Sequence, residues 1–366
     1  MTRIQLTATL RRRLHHNHFM ALFVRVILPE SSPYESPPSI ASEDENKPAD
    51  QPAHSSAILV GAIASIAAAV LYTGANIALR DAVGIDPFLV SAVKAAPTVI
   101  LLAPYLIWKL LTKQSLLTRY RMIPWFALVA LFGQFVGNAG FQVALDIIGL
   151  APSVPLTLGM ILVGGATLGR LLLGERITTS AVISIMIMLA AVSVLSLPDE
   201  SRRPAESVSS MPGWVGALCA MGAGIAYALF GVVMRRTMHD GVSMTLTMFI
   251  SGFVGFVSLW LFTALTMGLE GLREIQPDEW NVMCFAGIMN FMAFIALTLA
   301  LKLVPVNTVN LVNASQVAMA LIAGVVFFTE PITGPLIAGV VLTIVGLLVL
   351  YLGSPASKRG LADKVQ

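Results

Sequence analysis

The stretch Leu173-Gly174-Glu175-Arg176-Ile177-Thr178 returns near the other end of the chain as Phe328-Thr329-Glu330-Pro331-Ile332-Thr333. The two glutamates stand about 155 positions apart. The same offset lays Tyr72 on Tyr227, Arg80 on Arg235, Trp125 on Trp280 and Val60-Gly61-Ala62 on Val215-Gly216-Ala217. Each copy of the hexapeptide joins two apolar runs, so one unit is laid down twice.

Composition bounds what that unit is. Of 366 residues, 56% are hydrophobic and only 12% charged, against about 25% charged in a soluble domain. Mean hydropathy is +0.81. These are the proportions of a membrane protein. Ten apolar runs alternate with short polar breaks, approximately at 57–79, 87–111, 123–145, 152–173, 178–197, 213–234, 242–267, 280–301, 306–328 and 333–352. Runs of about 20 residues suit helices that satisfy their own backbone groups in lipid. The sequence therefore predicts an all-α integral membrane protein with ten transmembrane helices in two five-helix repeats, 57–197 and 213–353.

The segments outside the repeats are polar. Residues 1–56 read as a disordered or interfacial leader, with Arg11-Arg12-Arg13 followed by an apolar stretch too short to cross a bilayer. Residues 198–212, carrying Asp199, Glu200, Arg202, Arg203 and Glu206, form the linker, and 354–366 a tail.

Orientation follows from the placement of Lys and Arg. With the N-terminus cytoplasmic, inner breaks hold Lys109, Lys113, Arg119, Arg121, Arg176, Arg235, Arg236, Lys302, Lys358, Arg359 and Lys364, and outer ones hold Arg80, Arg202, Arg203 and Arg273. Both termini are thus expected inside. Five helices is an odd number, so the second repeat enters the membrane inverted relative to the first, an arrangement that in many secondary transporters puts the solute site near the midplane.

Three features resemble the EamA-type drug/metabolite transporters, a ten-helix family of two EamA units. The hexapeptides around Glu175 and Glu330 are similar to its "LGE" junction between the fourth and fifth helices. Asp86-Pro87 followed by Lys94 is similar to its second helix, where a basic residue, usually arginine, follows the proline by seven positions. The glycine-containing terminal helix with Gly339 and Gly346 is similar as well. The resemblance implies export of a small metabolite, such as an amino acid, a nucleoside-like compound, an organic anion or a drug, across a plasma membrane (the inner membrane of a bacterium). Lysine in place of arginine keeps the charge and loses the fork that grips a carboxylate bidentately.

Lys94 is the sharpest candidate for contact with substrate. A cation seven residues inside a helix faces a cavity, a partner or water, or its stem snorkels to the surface; both readings stand. Polar uncharged residues supply a candidate lining: Tyr72 and Asn76 one turn apart, Gln134, Asn138 and Gln142 at four-residue spacing, Tyr227 at the repeat position of Tyr72, Asn290, and Asn310, Asn313 and Gln316. Asn307 points away from Gln316. Each amide is equally open to interhelical hydrogen bonding; the substrate-binding set is Lys94, Tyr72, Asn76, Gln134, Asn138, Tyr227, Asn290, Asn313 and Gln316. Arg170 reads as a snorkelling cation. Gly133 with Gly137, and Gly165 with Gly169, have the spacing of close helix packing. Glu175 and Glu330 read as structural junctions, accepting backbone N–H groups or pairing with a cation.

Other classes find less support. The five histidines, His15, His16, His18, His54 and His239, lie in tails or breaks, and no nucleophile stands beside a base in a catalytic pattern. A membrane-embedded enzyme is therefore disfavoured, and a non-transporting receptor or scaffold is the remaining alternative. Cys219 and Cys284 share no metal spacing, and no phosphate-binding Gly-rich loop occurs, so neither cofactor nor metal is implied. No basic patch interleaved with aromatics points to nucleic acid. The expected partners are a small-molecule substrate and the lipid bilayer.

Overall fold

In the computed structural model the chain is all helix over the residues the structure describes, 51–112, 122–173, 179–195, 211–303 and 306–352. The helices are α1 (Gln51–Asp81), α2 (Pro87–Leu111), α3 (Ile123–Phe132), a π-helical segment (Gly133–Ala139), α4 (Gly140–Ile148), α5 (Leu150–Leu173), α6 (Thr179–Leu195), α7 (Gly213–His239), α8 (Met244–Glu274), α9 (Pro277–Leu303), α10 (Val306–Phe328) and α11 (Gly334–Leu352). Among the described residues seven helices are long and apolar enough to cross a membrane, the third of them the continuous stretch Ile123–Ile148. The protein is a multi-pass α-helical membrane protein. Glu175, most of the leader and linker, and the tail lie outside the described residues, as do the side chains of Arg170, Asn307 and Asn310.

The exposure pattern is that of a protein dissolved in lipid. Along α1 the large residues Leu59, Ile63, Ile66 and Val70 are exposed, while Ala64, Ser65, Ala68, Ala69 and Ala75 are buried. Lipid tails are as apolar as leucine, so large aliphatic side chains gain nothing by burial there, and small residues bring helix backbones close. That inner face packs on α9 and α10. Similarly α7 packs on α5 and on the third span, α2 on α8, and α6 on α11. Ser184 Oγ on α6 donates to the Gly346 carbonyl of α11 at 2.7 Å.

Local chemistry sets the helix starts. Asp86 caps α2: its Oδ1 accepts from the N–H groups of Phe88 (3.0 Å) and Leu89 (2.9 Å), and Pro87 fills the first turn, where a missing N–H costs nothing. Ser243 caps α8 in the same way through Leu246 N–H. Gly149 ends α4 with φ +82°, a conformation that favours glycine, and α5 begins one residue later.

One end of the bundle is sealed by an ion pair. Arg80 is fully buried in the last turn of α1, and its Nε lies 3.3 Å from Glu330 Oε1, in the α10–α11 junction. The same carboxylate accepts from Leu150 N–H at 2.5 Å and Ala151 N–H at 2.8 Å, so it also caps α5. A Cβ on Gly149 or Gly324 would collide with it. The Arg80 guanidinium lies over the Phe328 ring, 5.3 Å from its centroid. Arg80 was expected in an outer break; α1 instead runs on to Asp81, and its partner stands 250 positions away, beyond the reach of any local pattern. Around the pair, Leu79, Ile85, Leu89, Leu145, Leu150, Met283 and Phe328 form a dense apolar plug.

The glycine spacing is met in part. Gly133 and Gly137 approach Phe230 and Tyr227 of α7. A Cβ on Gly165, by contrast, would meet nothing within 4 Å, and the close approach of α5 to α7 is made by Gly164 against Ala228. A spacing of four fixes a face but not which neighbour that face meets.

Candidate functional site

Beneath the sealed end lies a cavity of about 460 Å³. Lys94, Tyr72, Asn76, Gln134, Asn138, Tyr227, Asn290, Asn313 and Gln316 all line it. They come from α1, α2, the π segment, α7, α9 and α10, so separate spans bring them to one place. The remaining wall is largely apolar, with Phe141, Phe230, Phe291 and Phe294 supplying aromatic surface and Leu162, Met234, Met248 and Leu297 aliphatic surface.

Lys94 sits seven residues after Pro87, about 10 Å along the helix at about 1.5 Å per residue. It is buried, at 8% exposure. Its Nζ donates to Asn138 Oδ1 at 2.6 Å, its one hydrogen bond among the described residues. Tyr227 OH donates to the same oxygen at 2.7 Å, and Asn138 Nδ2 donates to Gln134 Oε1 at 2.5 Å. Gln134 Nε2 ends the chain on the Ser251 carbonyl of α8 at 3.1 Å. Asn138 is thus the hub, its acceptor shared by two donors and its amide N–H₂ tied to Gln134. Each link fixes the next side chain, which holds the Lys94 ammonium in place.

The π segment makes the hub possible. Its i→i+5 turns widen the helix locally, a feature often found at functional sites. Gln134 and Asn138 lie within it and turn to the cavity, whereas Gln142, on α4 beyond it, leaves that face and donates to the Leu79 carbonyl at 2.7 Å. The expected common face of all three residues is therefore broken after Asn138. Gly137 matters for the same contact, since a Cβ there would lie 2.8 Å from the Tyr227 ring. Elsewhere in the cavity Gln316 Nε2 donates to Asn313 Oδ1 at 3.4 Å. The Tyr72 hydroxyl and the Asn76 and Asn290 amides have no hydrogen-bond partner among the described residues, so they present unspent groups to a solute.

The cavity has a direction. α2 and α5 begin at the sealed end, as do α7, whose Gly216 abuts Ile147, and α9, whose Met283 joins the plug. The lining runs away from that end, to Thr98 on α2, Leu162 on α5, Met234 on α7 and Leu297 on α9. At the opposite end the start of α8 meets the end of α7, and Arg236 Nη1 donates to the Leu172 carbonyl at 3.4 Å. Among the described residues no group of three or more His, Cys, Asp or Glu is placed to hold a metal ion.

This setting can be compared with known proteins. Residues 214–352 match the EamA-like transporter family. An EamA-like transmembrane domain is therefore present over α7 to α11. A solved structure, described only as the crystal structure of a protein, is similar over 81% of this chain and 96% of its own, with a TM-score of 0.52 and 21% identity. That likeness is one of fold. None of the curated proteins matches the sequence. The EamA-like domain contributes Tyr227, Asn290, Asn313 and Gln316, and the residues before it contribute Lys94, Asn138 and Gln134, so the cavity is shared between the matched region and the rest of the chain.

Signals for the missed residues were weak. The cavity phenylalanines are indistinguishable in sequence from lipid-facing ones, and Ser251 contributes a backbone oxygen that no residue type announces.

Proposed function

We propose that this protein is a secondary transporter that moves a small polar or amphiphilic metabolite, in the direction of export, by exposing the Lys94–Asn138 cavity to one side of the membrane and then the other. The observation that carries the reading is the convergence of polar side chains from six helical segments on one cavity, walled by apolar side chains and sealed at one end by the Arg80–Glu330 pair. A cavity of this size falls within the usual range for small-molecule sites, about 300–1,000 Å³. The EamA-like match over 214–352 supports the same class.

The architecture that goes with this reading is two inverted five-helix repeats, 57–197 and 213–353, with both termini cytoplasmic. The packing supports it. α1 lies against α9 and α10, the third and fourth spans of the second repeat, and α7 lies against the third span and α5, their counterparts in the first. The second helices α2 and α8 pair, as do the fifth helices α6 and α11. Exchanging the repeats returns the same neighbours, which is what a two-fold relation requires. On the orientation set by Lys and Arg, the sealed end is external and the cavity runs toward the cytoplasm.

The test is flux. The purified full chain in sealed liposomes is expected to exchange labelled organic acids, amino acids or nucleosides with unlabelled solute trapped inside. Saturable binding of such a solute in detergent, with no exchange across vesicles containing correctly folded protein, would refute transport and leave a receptor.

A further inference from the structure

The charge inventory of the cavity is lopsided. Among the described residues Lys94 is the only ionisable side chain lining it apart from the phenols of Tyr72 and Tyr227, and no Asp, Glu or His is among them. An ammonium has three N–H donors and Lys94 spends one, on Asn138. Asn138 brings no charge, and its oxygen is already shared with Tyr227. The cation is therefore held by neutral groups, with donors to spare and no counter-charge of its own.

From this we infer that the cavity selects an organic monoanion, a carboxylate on an apolar body, and discriminates against zwitterions and cations of the same shape. This rests on the transporter reading and names its substrate class. A single carboxylate neutralises Lys94 and takes its free N–H donors, while the unspent Tyr72 hydroxyl and Asn76 and Asn290 amides serve its remaining lone pairs or a substrate hydroxyl. The apolar remainder of the ligand lies against the phenylalanines and the aliphatic side chains beyond. An α-ammonium on that body enters a desolvated space beside Lys94 with no carboxylate to meet it, and burying a charge without a partner is unfavourable. A phosphate dianion overshoots in the other direction, leaving a net negative charge buried against one lysine.

The experiment uses four ligands of nearly one shape: 3-phenylpropanoate, phenylalanine, 2-phenylethylamine and 3-phenylpropan-1-ol. Binding to the purified full chain is measured by calorimetry, and competition by each is measured in vesicle exchange. The expected result is that 3-phenylpropanoate binds at least tenfold more tightly than phenylalanine and the alcohol, with the amine weakest. Lys94→Met is expected to bring the acid down to the level of the alcohol without weakening the alcohol, and Lys94→Arg to keep the order. Phenylalanine binding as tightly as the acid, or an acid preference that survives Lys94→Met, overturns the charge selection while leaving transport standing. If Lys94→Met does not fold, the wild-type order of the four ligands decides. Preferential binding of the acid with no vesicle exchange of any ligand would sink transport and leave the selection intact.

Discussion

Removing the Glu330 carboxylate tests the sealed end directly. In Glu330→Ala, Arg80 stays fully buried and loses its one anionic partner among the described residues, where its Nη1 and Nη2 already lack acceptors. Breaking a buried ion pair from one side costs about 3–5 kcal/mol, because the remaining charge is left uncompensated. The Leu150 and Ala151 N–H groups lose their acceptors in the same step, and each buried donor left unsatisfied costs about 1–3 kcal/mol. These contributions overlap, so the expected loss is about 5 kcal/mol, or a fall of about 10 °C in the melting midpoint at roughly 2 °C per kcal/mol for a chain of this size. Glu330→Gln keeps the shape and an acceptor oxygen and is expected to lose about half as much. The assay is thermal unfolding in detergent of both variants, of Arg80→Met, and of the double variant Arg80→Met/Glu330→Gln. The double variant is expected to be more stable than the sum of its parts, since removing both charges leaves neither stranded. Additive losses, or a Glu330→Ala protein that melts with the wild type, would refute the account of this end.

Asn138→Leu removes the hub and is expected to weaken binding of 3-phenylpropanoate at least tenfold, a loss of about 1.4 kcal/mol measured by calorimetry; unchanged affinity would detach Lys94 from its proposed support. Gly137→Val places a side chain against the Tyr227 ring and is expected to cost about 1–3 kcal/mol of stability in thermal unfolding, with partial recovery in Gly137→Val/Tyr227→Ala. Gly149→Ala combines a φ of +82° with a collision against Glu330 and is expected to cost at least about 1 kcal/mol. Gly165→Ala, where a Cβ meets nothing, is expected to be neutral or slightly stabilising in the same assay.

Much of the lining of the candidate site could be read before the fold, because lipid makes polar residues conspicuous. An amide or ammonium in an apolar run must be satisfied somewhere, and the simplest place is a shared interior; Lys94, Asn138 and Asn290 stand out on that ground alone. What resisted reading was whatever depends on a distant partner or a local change of helical pitch. Arg80, at the end of a run, resembles any loop cation until Glu330 is brought beside it. Gln142 shares a spacing with Gln134 and Asn138, and only the π segment between them explains why its amide turns to Leu79. Gly165 carries a packing signature, yet the neighbouring Gly164 makes the contact.

Up to its last turn, the face that α1 turns to its neighbours is built from small residues, chiefly alanine with Ser65 and Thr73, with bulk reserved for the fatty-acyl chains outside. Such a surface has few knobs to interlock, which under the proposed alternating exposure lets neighbouring helices shift past it as a bearing does when its races are smooth. If the protein works as proposed, bulky replacements at the fully buried Ala68 should act as grit, slowing vesicle exchange as well as costing about 1–3 kcal/mol of stability, whereas trimming Ile66 on the lipid flank should leave exchange unchanged.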